Sequence, residues 1–287
     1  MKGILILMMV WSSGIILAQN QPKAYQLYKS DGTPADYKEM IREMHEADVT
    51  LIGEFHNNSI MHWMEYRVAL DLFGQDSTLD IGMEMFEADD QLAIDEYMKG
   101  RFKYFYLKGA IKRWKNFKTD YKPIFDLAKK YPGKIGFYAT NVPRRYAGIV
   151  SNGGYEALEG LSDQAKSYFA PLPMHFDTTA PNYQEMMEMD MGHSSNLNIT
   201  KAQALKDATM AYFIVKNKRK GVPFVHYQGD FHSKNYGGIY VYLRLYSPML
   251  KIVTLAPVES ETMEFKDEYK TLGDYIMLIP EEMTKTY

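Results

Sequence analysis

Two short stretches repeat one order of residue types: Gly53-Glu54-Phe55-His56 and Gly229-Asp230-Phe231-His232. Each sets an acid two positions before a histidine. A carboxylate beside an imidazole can orient the ring, share its proton, or join it in holding a cation. Both stretches follow apolar runs, and in extended backbone two residues at this spacing share a face. A third acid, Glu84, stands inside the apolar run Gly82-Met83-Glu84-Met85-Phe86. A carboxylate there is costly without a partner or a task. A single histidine at a strand end is usually a hydrogen-bonded structural residue. Its repetition, with an acid each time and Glu84 between, points to a functional site. As a metal-holding set the candidates are His56, His232, Glu54, Glu84 and Asp230. In a hydrolase Glu54 or Glu84 would act as the base that deprotonates a bound water.

These side chains need strands to carry them to one place. The apolar runs 49–52, 79–86, 134–139 and 222–227 read as buried strands, with 252–256 and 275–279 as late ones. Helical spacing covers 35–47, with Thr33 as N-cap and Pro34 at the first helical position, and also 58–73, 88–98 and 121–131. Strands alternating with helices predict an α/β fold: a mostly parallel central sheet flanked by helices. In such sheets ligands bind beyond the C-terminal strand ends, where both motifs fall. From 142 to about 219 the strand signal stops. This stretch predicts a helical insertion or cap, whose longest helix (199–218) turns Ala202, Leu205, Ala208, Tyr212 and Val215 to one side.

The 287 residues, 46% hydrophobic and 24% charged, are ordinary globular composition. A net charge of -3 argues against nucleic acid as the main partner. The start, Met1-Lys2 followed by an apolar run to Leu17 and then Ala18, reads as a secretory signal over 1–18. The run is shorter than the ~20 residues of a spanning helix. Residues 19–287 are then expected as a single domain, periplasmic or secreted. There is no cysteine, which excludes disulfides, thiolate sites and a thioether-linked lipid.

The motif residues resemble a known family, the ChaN-like haem-binding proteins of the Tiki superfamily. Leu51-Ile52-Gly53-Glu54-Phe55-His56 with His62 is similar to its opening block, and Ile81 to Phe86 with Gln91 to its second. Trp114 with Tyr121-Lys122-Pro123, then Asn141-Val142-Pro143-Arg144, Ala202-Gln203 with Asp207-Ala208, and finally Gly229 to His232 follow in the family's order. The resemblance implies haem binding and a part in haem or iron acquisition. It further implies stacked haems shared by a homodimer with tyrosine on the iron, and an outer-membrane haem receptor as partner. Its superfamily also holds metal-dependent peptidases and erythromycin esterases, so the alternative reading is a metal-dependent hydrolase using a divalent ion. The chain departs from the family's frequent lipoproteins in lacking the lipidation cysteine.

Other residues bear on a haem site. Tyrosinate is one haem ligand type, and among the 23 tyrosines Tyr104, Tyr106 and Tyr121 are the candidates. Residues 97–119 carry eight Lys or Arg and no acid, interleaved with aromatic residues. This is either a solvated face or a surface offering cations to propionates and rings to a porphyrin. The methionine-rich stretch 183–193 reads as a core helix or a lid, with His193 as a possible axial ligand. Arg144 can fix a carboxylate bidentately.

Overall fold

The computed structural model describes residues 22–190 and 197–287. The expected signal over 1–18 and the candidate His193 lie outside them. In chain order the elements begin with β1 (Gln26–Lys29), α1 (Tyr37–Glu46), β2 (Val49–Glu54), α2 (Ser59–Asp76), β3 (Leu79–Glu87), α3 (Gln91–Met98), α4 (Tyr104–Ala110) and α5 (Lys122–Lys130). They continue with β4 (Ile135–Asn141), α6 (Arg144–Gly153), α7 (Asp163–Lys166), α8 (Pro181–Asp190), α9 (Leu197–Asn217), β5 (Phe224–Gly229), α10 (Ile239–Tyr246), β6 (Ile252–Ser260) and β7 (Tyr275–Pro280).

The strands form one sheet in the order β1-β7-β6-β2-β5-β3-β4. All its pairings are parallel except that of β1 with β7. β2, β5 and β3 lie side by side at the centre and are buried on both faces, as continuous apolar runs require. Leu51 and Phe224 face one way and Ile52 and Val225 the other. On one face α1, α2 and α5 bury Met44, Met64, Val68, Ile124 and Phe125 against Ile52, Ile81 and Val225. On the other, α9 and α10 bury Ala204, Ala208, Ala211, Ile214 and Leu243 against Val49, Leu51 and Phe224.

Two sequence expectations change here, and two elements appear that the sequence reading did not assign. The helix expected over 35–47 starts later: Asp36, not Thr33, caps α1, its carboxylate accepting from the Lys38 and Glu39 amides. The edge strand β1 and the helix α10 carry signals too short or too apolar to separate from their neighbours. The stretch between β4 and β5 is helical, but it is more than a cap. Its main helix α9 lies on the sheet face and runs back from the C-terminal rim, near Asp207 and His232, to the far end. There Arg219, just past α9, donates its backbone amide and its Nε to the Asp80 carboxylate at the start of β3.

Candidate functional site

The two Gly-acid-Phe-His motifs arrive at adjacent strand ends, yet they are not equivalent. Glu54 pairs in register with Gly229, so the second motif sits one residue ahead of the first. β2 ends at Glu54 and the chain turns at His56-Asn57, yet Glu54 still holds His56, with Nδ1 to Oε1 at 2.6 Å. At the second motif the chain turns at once: Asp230 to His232 form a 3-10 turn. This corrects the expectation that both acids share a face with their histidine. Asp230 instead lies against Gly53, where a Cβ would stand 2.6 Å from its Oδ1. That oxygen has no hydrogen-bond partner, and burial pushes the carboxyl up to about 7. Glycine at 53 is what allows this approach.

His232 takes its acids from elsewhere. Its Nε2 lies 3.2 Å from Glu84 Oε1, and its Nδ1 meets Asp207 of α9, where Tyr183 also donates to Oδ2 at 2.7 Å. Gln203, one turn before Asp207, reaches the same ring. Glu84 thus has the partner its apolar run demanded, and its other oxygen accepts from the Gly229 amide at 2.8 Å. Burial works against charge on both groups. It is outweighed: the His232 imidazolium and the Gly229 amide hold Glu84 well below the usual carboxylate range. Glu84 and Asp207 in turn raise His232 to about 10. This is a buried, hydrogen-bonded ion triad.

His56 caps the same point. A Cβ on residue 229 would stand 2.8 Å from its Nε2 and 3.5 Å from Glu84 Oε2, so only glycine leaves room for both. Trp114 packs edge-on against the His56 ring, centroids 4.7 Å apart. Burial opposes charge on His56, and Glu54 offsets it and raises the imidazole.

Behind His56 lies a second buried cluster. Glu54 Oε1 also accepts from the Tyr121 hydroxyl at 2.7 Å. His62 and Glu65, three apart on α2, stand beside Glu54. Asp120 accepts from Asn116 and Thr286. Burial, then the neighbouring Glu65 carboxylate, push Glu54 up to about 8, and burial raises Glu65 to about 7.

The cleft outside is about 820 Å³ and is lined by His56, Glu84, Met85, Glu87, Trp114, Asn116, Asn141, Val142, His232 and Tyr287. Five cations, Lys112, Arg113, Lys115, Arg144 and Lys206, complete its wall. Lys112 is paired with Glu87, and Lys115 sits over the Tyr287 ring, 4.0 Å from its centroid. A smaller cleft of about 480 Å³ on the other side of His56 and His232 is lined by Asp230, Phe231, Lys234 and again Tyr287.

The expected residues therefore divide. His56, His232, Glu54 and Glu84 come together, and Arg144 lines the cleft; Asp230 faces the neighbouring one. Tyr121 is fully buried with its hydroxyl given to Glu54, which keeps it from any cleft ligand. Tyr104 is half-buried against Tyr97 under Lys108 and Lys122, and Tyr106 is exposed on α4; neither lines the cleft. Sequence reading assigned no role to Asp207, Gln203, Glu65, Asp120 or Tyr287. An acid within the apolar face of α9, and a His-Glu pair at helical spacing on α2, were the available signals for two of these.

With this geometry in view, the comparisons follow. The profile of the family described as "Haem-binding uptake, Tiki superfamily, ChaN" matches residues 40–243. The chain belongs to this family. A solved structure of ChaN of Campylobacter jejuni, described as showing cofacial haem binding, shares the fold of this ChaN-family chain. It matches at TM-score 0.66 and 18% identity over 89% of this chain and 96% of that one. A succinoglycan biosynthesis protein matches at TM-score 0.44 and 11% identity, over 78% of this chain and 69% of that one. No curated protein matches the chain.

Proposed function

We propose that this member of the haem-binding uptake family binds haem in the 820 Å³ cleft and acts, outside the cytoplasm, in haem or iron acquisition. The observation that carries the reading is the cleft itself. It sits at the C-terminal rim of the sheet, has a volume usual for cofactor sites, and sets a cationic wall beside Trp114, Met85 and Val142. That donor set fits haem: guanidinium and ammonium groups for two propionates, with apolar and aromatic side chains for a flat macrocycle. When bound, haem supplies the iron and its redox chemistry; the chain supplies position. Arg144, which lines the cleft beside the Asn141-Val142-Pro143 turn, is placed to take one propionate as a fork, and Lys206 and Arg113 to neutralise the other. Tyr287, which lines the cleft, is of a side chain type able to ligate haem iron. The buried triad of His232, Glu84 and Asp207 keeps the cleft floor rigid and charged.

Export rests on the apolar run that ends at Leu17, and favours a periplasmic or secreted protein. Haem shared by a homodimer accords with the cofacial haem described for the Campylobacter protein, and an outer-membrane haem receptor as partner belongs to the same reading. The hydrolase alternative asks His56, His232 and three carboxylates to converge on one cation. In this structure His232 and Glu84 spend their atoms on each other, on Asp207 and on Gly229, so that reading is not carried forward.

Titration of the purified chain with haemin is the test. We expect a saturable Soret shift that is altered in Tyr287→Phe and weakened in Arg144→Glu. Absence of a saturable shift in the wild-type chain would overturn the reading.

A further inference from the structure

Behind the cleft, on the α2 side of the sheet, three side chains turn bare acceptor atoms toward one point. His62 Nε2 lies 3.2 Å from the carbonyl oxygen of His56. A carbonyl only accepts, so this nitrogen carries the ring proton; Asp120 Oδ2, 3.4 Å away, supports the same N–H. In neutral imidazole the other nitrogen, Nδ1, then holds a lone pair. It faces Glu65 Oε2 at 3.1 Å and Glu54 Oε2 at 3.7 Å.

When ionised, the two carboxylates only accept. Glu54 Oε2 and Glu65 Oε1 are buried and have no hydrogen-bond partner. Glu54 and Glu65 side chains are 0% exposed. Their ligand atoms and that of His62 all fall within 4.8 Å of one another, the one such group among the described residues. No lysine or arginine pairs with either acid among the described residues, so the two buried carboxyls are neutralised by protons, by a protonated His62, or by a cation bound among them.

We propose that Glu54, His62 and Glu65 form a buried site for a divalent transition-metal ion that prefers nitrogen and oxygen ligands, such as Zn²⁺ or Mn²⁺. The spacing fits. Ligand bonds of about 2.0–2.1 Å in tetrahedral geometry put neighbouring ligand atoms roughly 3.3 Å apart, and the two observed separations from Nδ1 bracket this. The surroundings fit as well. A metal-bound histidine ordinarily donates its remote N–H to a carboxylate or carbonyl, and His62 has both in Asp120 and the His56 carbonyl. Asp120 is itself held by Asn116 at 2.7 Å and Thr286 at 2.8 Å. Glu54 is oriented through its remaining oxygen by Tyr121 and His56. Two carboxylates match the charge of one divalent ion.

This site differs from the metal set expected at the strand ends, sharing only Glu54 with it, and it stands apart from the haem reading. It also reaches the cleft. Glu54 holds the metal by one oxygen and orients His56 by the other, so occupancy sets how firmly His56 is fixed behind the cleft.

The test is refolding of the full chain in metal-free buffer containing EDTA, and in buffer with Zn²⁺ or with Mn²⁺, followed by desalting and elemental analysis. We expect about one equivalent of metal per chain, and a thermal midpoint above that of the metal-free chain, rising with metal concentration. The near-isosteric Glu65→Gln and His62→Gln each lose the equivalent, while Arg144→Glu retains it. Wild-type chain that takes up neither metal and melts at the same temperature in all three buffers overturns the proposal, whatever the variants do. Retention of the equivalent by folded Glu65→Gln and His62→Gln also overturns it, by placing the ion elsewhere.

Discussion

His232 shows how much one side chain can depend on its setting. It is buried between two carboxylates that come from β3 and α9. Its pKa lies near 10 in the folded chain and about 6.5 in the unfolded one. A raised pKa stabilises the fold fully below the unfolded value, and that stabilisation is lost as pH climbs through the folded one. Glu84, depressed by the same ion pair, contributes above the usual carboxylate range and loses its part as pH falls into strong acid. Replacing His232 by Leu strands Glu84 and Asp207 without their cation and is expected to cost about 3–5 kcal/mol at pH 7. Denaturant unfolding at several pH values checks this. The wild-type decline between about pH 6.5 and pH 10 should flatten in the variant, and a variant as stable as wild type at pH 7 sinks the assignment.

At the scale of elements, α9 couples the sheet to the site. One side packs Ala204, Ala208, Ala211 and Ile214 onto the strands, and the same helix presents Gln203 and Asp207 to His232. Ile214 lies farther along the helix, beyond those polar residues, and is fully buried. Ile214→Ala is therefore expected to lower unfolding stability by about 2–5 kcal/mol and to leave haem titration unchanged. A shifted haem affinity with intact stability would show that the two ends of α9 are not separable in this way. The helix itself was legible from its apolar spacing. That Asp207 within it serves His232 was not, because the contact joins residues 25 apart that only packing brings together.

For the whole molecule, charge is distributed unevenly. The net charge is only -3, yet the cleft gathers Lys112, Arg113, Lys115, Arg144 and Lys206 around two acids, Glu84 and Glu87. A local cationic field on a near-neutral protein draws in a dianionic ligand without drawing polyanions in general. The double variant Arg144→Glu with Lys206→Glu is expected to weaken haemin binding at least tenfold, about 1.4 kcal/mol. It should also flatten the fall of wild-type affinity with salt. Equal affinity and equal salt slopes in wild type and variant would remove the cations from the reading.

The chain's own order of residues determined the strands, the parallel sheet and the delivery of His56, Glu84 and His232 to one rim. Short continuous apolar runs bounded by turn residues suit buried strands better than helices, and parallel strands end on one side. The tertiary structure alone decided who partners whom. Gly-acid-Phe-His occurs twice, but Glu54 continues a strand while Asp230 begins a turn. Local residue types are the same, so what differs is the register of β2 against β5 and the helix each segment must feed. Tyr121 went inward and Tyr287 to the cleft for the same kind of reason. A phenol is equally suited to core and surface, and only long-range packing chooses between them.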